Sequence, residues 1–226
     1  MALIGVALVL VVAAVGVGIL LLMIRTTSGF ARFDLRLARF GATHATDAST
    51  SFLRTVSLLG GTLGIIVAAL IVAAVEYRRT RSRAVVAFLV TVVAGQFAVA
   101  NLVKWLVDRA RPAIDQLTGF AGSSFPSGHA TATAATYAAF ALLLGRNRSD
   151  ATKAVLAGSA AGIAVAVGTT RVLLGVHWFT DVLGGLLIGW SWFAVCSMMF
   201  GGRWLHFGAP VETVEQVAAS VPTPAK

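Results

Sequence analysis

From Leu3 to Ile24 the chain carries no charged residue and hardly a polar one, until Arg25 ends the run. Nearly uncharged apolar stretches recur at roughly 55–76, 84–104, 128–145, 153–171 and 179–200, divided by polar or basic connections. An α-helix needs about 20 apolar residues to cross the roughly 30 Å hydrocarbon layer of a bilayer. The pattern therefore predicts an all-α fold: a six-transmembrane-helix bundle. No basic segment precedes Leu3, and the first run is longer than the core of a secretory signal, so it is expected to be retained as span one.

The connection 25–54 has a different rhythm. Phe30, Phe33, Leu37 and Phe40 fall on one helical face, and Arg32, Arg36 and Arg39 on another. That periodicity predicts an interfacial amphipathic helix between spans one and two; a plain solvated loop is the alternative. Gly158 and Gly162, and again Gly185 and Gly189, form small-xxx-small pairs, which let membrane helices approach closely. Residues 1–208 read as one domain. The tail 209–226, with Pro210, Pro222 and Pro224 among small and polar residues, reads as disordered.

Composition agrees with a membrane protein: 58% hydrophobic residues and 12% charged ones. The formal net charge is +9. No basic stripe is interleaved with aromatics, so nucleic acid is not an expected partner. The basic residues fit lipid head groups and topology instead. Two short basic loops, Arg78–Arg83 and Gly145–Lys153, lie on the same side of a six-span chain. The positive-inside rule makes that side cytoplasmic in a bacterial-type cytoplasmic membrane. Lys104, Arg109, Arg111 and Arg171, on the other side, are set aside for the chemistry below. The single cysteine, Cys196, lies in an apolar stretch and reads as a small buried hydrophobe.

Three polar clusters remain. In KWLVDRARP, Lys104 and Arg111 are seven apart, nearly two helical turns, which puts both cations on one face with Asp108 between them; Pro112 then ends the helix. A lysine point charge and an arginine fork suit a phosphate, although basic flanks also snorkel at span ends. In SSFPSGHA, Pro126 blocks a preceding helix, Ser127 is a cap, and Gly128 admits a ligand close to the backbone. A helix start of this kind binds anions, and His129 beside it is a proton donor; an ordinary turn with an interfacial histidine is the other reading. In RVLLGVHWFTD, His177 and Asp181 are four apart, one helical turn. The carboxylate can hold one imidazole nitrogen as N–H and leave the other nucleophilic, while Arg171 adds a third cation beyond a bend at Gly175. Separate structural jobs for these three residues are the alternative.

With six spans, all three clusters face one side. Together they supply phosphate-binding cations, an anion cradle, an oriented histidine and a second histidine as acid. That set suffices for phosphoryl transfer through a phosphohistidine without a metal or cofactor. Here the chain resembles the type 2 phosphatidic acid phosphatase superfamily, which also includes the vanadium haloperoxidases. Its signature is Lys-x6-Arg-Pro, Pro-Ser-Gly-His and Ser-Arg-x5-His-x3-Asp. This chain has Lys104 to Arg111-Pro112, Pro126-Ser127-Gly128-His129, and Arg171, His177 and Asp181 at matching spacing, with Thr170 where the family has serine. The resemblance covers residues 50–200. It implies an integral-membrane lipid phosphate phosphatase with its site on the outer face. His177 would be the nucleophile, Asp181 its orienter and His129 the acid. Lys104, Arg111, Arg171, Ser127 and Gly128 would hold the phosphate. A polyprenyl (undecaprenyl-type) diphosphate is the favoured substrate, followed by phosphatidate and phosphatidylglycerol phosphate. The alternatives are a lipid phosphotransferase, a haloperoxidase, and a non-catalytic scaffold or transporter.

Overall fold

A computed structural model describes residues 2–114 and 116–201. The architecture is all-α. Helices α1 (Ala2–Thr26), α2 (Ala31–Thr43) and α3 (Asp47–Ser57) are followed by a short 3₁₀ turn at Leu58–Gly60. Then come α4 (Thr62–Thr80), α5 (Arg83–Val107), α6 (Gly128–Leu144), α7 (Asp150–Leu173) and α8 (Phe179–Phe200). The proposed tail 209–226 lies outside the described residues.

Helix α6 is the axis of the bundle. Its residues are mostly alanine, threonine and leucine, and most of them are buried against α5, α7 and α8. A helix apolar all round belongs in the middle. Phe88, Leu89 and Val92 of α5 pack against Ala135, Ala139, Phe140 and Leu143 of α6 and Cys196 of α8. The Gly185–Gly189 pair of α8 lies directly on the α6 backbone: a Cβ on Gly189 would stand 2.5 Å from the Thr131 carbonyl oxygen. A Cβ on Gly158 or Gly162 of α7 would meet nothing within 4 Å, so this pair packs against none of the described residues. Helix α1 lies on the outside, with Gly16 against Leu187 of α8.

The expectation of six spans is corrected. Four helices, α1, α5, α7 and α8, are long and apolar enough to cross a membrane, or five if a bent pair counts as one span. The reasons are local. The stretch 55–76 is not one helix: it breaks at Leu58–Gly61, and α3–3₁₀ and α4 meet at 49°. Glu76, Arg78 and Arg79 then cut the apolar part of α4 to Thr62–Val75, about 21 Å of helix at 1.5 Å per residue. Helix α6 has 17 residues, or about 25 Å. The protein remains multi-pass.

The segment 25–54 is helical rather than a plain loop, and α2 also has an inward face that the periodicity did not mark. The connection 25–54 holds α2 and most of α3, and α2 is seated in the protein. Its buried face is Ala31, Asp34, Ala38 and Gly41, while Phe30, Phe33 and Phe40 point outward. Small residues win the inner face because α2 runs close to α7, with Gly41 on the Leu173 backbone.

The bundle has two chemically distinct ends. At one, the α4–α5 and α6–α7 turns meet, and Glu76, Arg79 and Thr80 line a pocket with Leu143, Arg146 and Asn147. At the other, the long α5–α6 connection 108–127 meets the α7–α8 turn 174–178. The three polar clusters lie at this second end.

Candidate active site

Helix α5 stops at Val107, where Asp108 takes a left-handed φ of 41°. Lys104 and Arg111 therefore do not share a helical face. Asp108 is exposed and enters no ion pair among the described residues. The two cations converge through the loop instead, both donating to the Ser123 carbonyl, Lys104 at 2.6 Å and Arg111 at 3.2 Å. The rest of the Arg111 fork donates to the Gly122, Ala121 and Val176 carbonyls and approaches His177 Nε2 at 3.3 Å. This one guanidinium staples the α5–α6 loop to the α7–α8 turn.

Ser127 caps α6, its Oγ accepting the Ala130 N–H at 3.5 Å. The N–H groups of Gly128 and His129 head the helix with no carbonyl above them. Lys104 lies alongside, its Cε 4.0 Å from where a Gly128 Cβ would be. The cap is tied to α8 by the Ser127 N–H, which donates to the Asp181 carbonyl at 2.9 Å. His129 stands in the electrostatic reach of Arg171, His177, Arg111 and Lys104. Its back is to the bend between α3 and α4, with Gly60 beside its Cβ and Gly61 near its Nε2.

Arg171 is buried in the last turn of α7 and donates to Ser57 Oγ at 2.7 Å. Among the described residues its buried Nε has no hydrogen-bond partner, an orphaned cationic donor. The Thr170 hydroxyl, at the position of the family's serine, is spent on the Val167 carbonyl at 2.7 Å. Gly175, at φ 74°, turns the chain from α7 into the His177 segment. His177 precedes α8 rather than sharing its face with Asp181, yet the two still meet: His177 Nδ1 is 3.3 Å from Asp181 Oδ2. Asp181 Oδ2 also accepts the Trp178 N–H at 2.9 Å and the Ser124 hydroxyl.

An imidazole that donates Nδ1–H to Asp181 keeps its lone pair on Nε2, the nitrogen facing Arg111. Burial, first of all, pushes the His177 imidazole down to about 4; Arg111 and Lys104 add to this, and Asp181 opposes it. The ring is neutral at pH 7. Eight sequence-marked residues thus assemble at one end: Lys104, Arg111, Ser127, Gly128, His129, Arg171, His177 and Asp181.

The PAP2 superfamily model matches residues 84–205, more than half of the chain. The chain belongs to the PAP2 superfamily. The chain is 38% identical over 129 residues to lipid A 1-phosphatase of Rhizobium etli, covering 52% of this chain and 50% of that protein. It is 38% identical over 94 residues to phosphatidylglycerophosphatase B of Bacillus subtilis, covering 39% and 45% respectively. The chain spans about half the length of the curated relatives it matches. The fold matches the crystal structure of a transmembrane PAP2 type phosphatidylglycerolphosphate phosphatase from Bacillus subtilis. That match has a TM-score of 0.76 at 22% identity and covers 84% of this chain and 96% of that one.

Sequence reasoning gave no role to two charged residues of this candidate site. Arg109, two residues before Arg111, donates NH1 to Asp181 Oδ1 at 2.6 Å and NH2 to Asp34 Oδ2 at 2.8 Å. Its place inside the Lys-to-Arg-Pro stretch was a signal, though a span-end arginine reads as a membrane flank. Asp34 had one clue: it is the lone acid of α2, on a helix whose other charges are arginines. Ser57 and Ser124 gave no signal at all.

Proposed function

We propose that this protein is a metal-independent membrane lipid phosphate phosphatase acting through a phosphohistidine. The observation that carries the reading is the buried His177–Asp181 pair, set among Lys104, Arg111 and Arg171. Neutral His177, held at Nδ1, attacks phosphorus with Nε2. As the P–N bond forms, the bond from phosphorus to the leaving oxygen breaks, and His129 gives its proton to that oxygen. Water then attacks the phosphohistidine, His129 takes a proton from it, and inorganic phosphate leaves with His177 restored.

The three cations supply the charge stabilisation. Arg171 Nε has no competing partner among the described residues. Lys104 and Arg111 exchange neutral loop carbonyls for charged phosphate oxygens, which make the stronger hydrogen bonds. Ser127 shapes the cap, and the Gly128 N–H points into the cradle. A bound phosphate dianion beside His129 favours the protonated ring that delivers the proton. Among the described residues, no three His, Cys, Asp or Glu side chains gather to hold a metal.

The substrate is a lipid. The activities of the relatives, on lipid A and phosphatidylglycerophosphate, support a phosphorylated lipid head group. A polyprenyl diphosphate is placed first, then phosphatidylglycerol phosphate and phosphatidate. The site faces the outside of the membrane, a reading supported by the basic turns at the opposite end of the bundle.

The test is phosphate release by detergent-purified protein in excess EDTA, with the three lipids side by side and His177→Ala as control. Release that persists in EDTA and disappears with His177→Ala is the expected result. Steady turnover by that variant rejects the covalent route. Phosphate passing to an added alcohol rather than to water makes the protein a transferase. No release from any lipid by folded wild type rejects the reading.

A further inference from the structure

Helix α8 carries Asp181 in its first turn, yet its own N-cap residue, Trp178, gives it no side-chain cap hydrogen bond. The missing cap comes from another helix. Buried Asp34 of α2 accepts the Thr180 N–H at 2.9 Å on Oδ1 and the Thr180 hydroxyl at 2.7 Å on Oδ2. A carboxylate there satisfies an orphaned N–H and faces the positive pole of the helix.

The same carboxylate grips the site a second time. Asp34 Oδ2 accepts Arg109 NH2 at 2.8 Å, and Arg109 NH1 continues to Thr180 Oγ1 at 2.7 Å and Asp181 Oδ1 at 2.6 Å. Donor and acceptor roles are consistent at each atom: the Thr180 hydroxyl gives its proton to Asp34 and accepts from Arg109. One guanidinium thus joins two carboxylates, and the indole of Trp178 lies 5.4 Å from it. Only a planar fork can make this bridge; a lysine presents one point charge. With Arg109 on Oδ1, the other oxygen of Asp181 is left to Ser124, Trp178 and His177.

We infer that Asp34 is a positioning residue for His177: by capping α8 and anchoring Arg109, it fixes the plane of the Asp181 carboxylate that holds the imidazole. The inference rests on the proposed nucleophilic role of His177. It also gives α2, which precedes the matched residues 84–205, a part in the chemistry.

Asp34→Asn is the first variant. Its amide oxygen can still accept the Thr180 N–H, but its NH₂ group opposes the Arg109 donor. Arg109→Lys is the second; it leaves the Asp34 cap in place. Two readouts are taken: kcat and KM for phosphate release, and the ring ¹⁵N resonances of His177 in histidine-labelled protein. Either variant is expected to lower kcat about tenfold or more with KM within about twofold, and to shift the His177 ring resonances. The double variant is expected to be no slower than the worse single one, since both cut one chain of contacts.

A folded Asp34→Asn protein with wild-type kcat and unmoved His177 resonances overturns the inference. So does a loss of thermal stability with those resonances unmoved, which would make Asp34 a cap and nothing more. If Asp34→Asn fails to fold, Arg109→Lys decides by the same resonances. If wild type releases no phosphate, the phosphatase reading falls, and the His177 resonances still decide whether Asp34 positions the ring.

Discussion

The most consequential single residue is His177, because one environment sets its orientation, tautomer and protonation together. Asp181 fixes Nδ1, and burial keeps the ring neutral down to about pH 4, far below the ordinary histidine value. In the unliganded protein, the His177 ring resonances are expected to titrate with a midpoint of about 4. A midpoint near 6.5 would mean an exposed ring and would remove the preformed nucleophile. The same shift links to stability. The unfolded chain protonates its histidine near 6.5 while the folded chain does not, so the contribution of His177 is complete above that pH. It declines as pH falls through the window and is lost below about 4. Thermal unfolding followed from pH 7 to pH 4 should show the decline, and His177→Ala should flatten part of it.

Among elements, the contact between α6 and α8 positions the site. Helix α6 brings the cap and His129, α8 brings Asp181, and the Ser127 N–H to the Asp181 carbonyl is the first link between them. Gly185 and Gly189 set the spacing below it. A methyl group on Gly189 would come within 2.5 Å of the Thr131 carbonyl oxygen and 2.8 Å of the Ala134 Cβ, so the helices must part. Gly189→Ala is expected to destabilise by about 1–3 kcal/mol, the usual cost of overpacking. Gly158→Ala meets open space and is expected to be neutral or to gain up to about 1 kcal/mol from helix propensity. Denaturation of the two variants in the same detergent compares them directly. Equal effects would place α7 and α8 in equivalent surroundings.

For the whole molecule, the two ends of the bundle differ in purpose. One gathers Arg78, Arg79, Arg81, Arg83, Arg146 and Arg148 at helix ends and in the short turns between them. The other gathers cations too, but they are folded inward on carbonyls, carboxylates and the anion cradle. The proposed orientation predicts a labelling pattern for single cysteines placed in a Cys196→Ser background. Ala113→Cys, at the site end, should react with a membrane-impermeant maleimide in intact cells. Asn147→Cys, at the basic end, should react only after permeabilisation. The reverse pattern would turn the site to the cytoplasm.

The sequence by itself determined the helical membrane class and marked eight residues of the candidate site, because apolar runs and motif spacing are local properties of the chain. Lys104, Arg111, Ser127, Gly128, His129, Arg171, His177 and Asp181 could be named without knowing how their helices met. Only tertiary structure decided how they meet. Lys104 and Arg111 converge through a loop rather than along a helix, since Asp108 ends α5 in a left-handed turn. A run that looked like one span is broken at Leu58–Gly61, and four or five spans replace six. Helix α2 turns its phenylalanines outward and buries Asp34, because in a membrane apolar side chains can face lipid while small and paired polar ones face protein. Asp34 lies 146 positions from Thr180, the residue it caps, and 75 from Arg109, which it anchors. No local pattern encodes a contact of that range; packing α2 against α7 and α8 creates it.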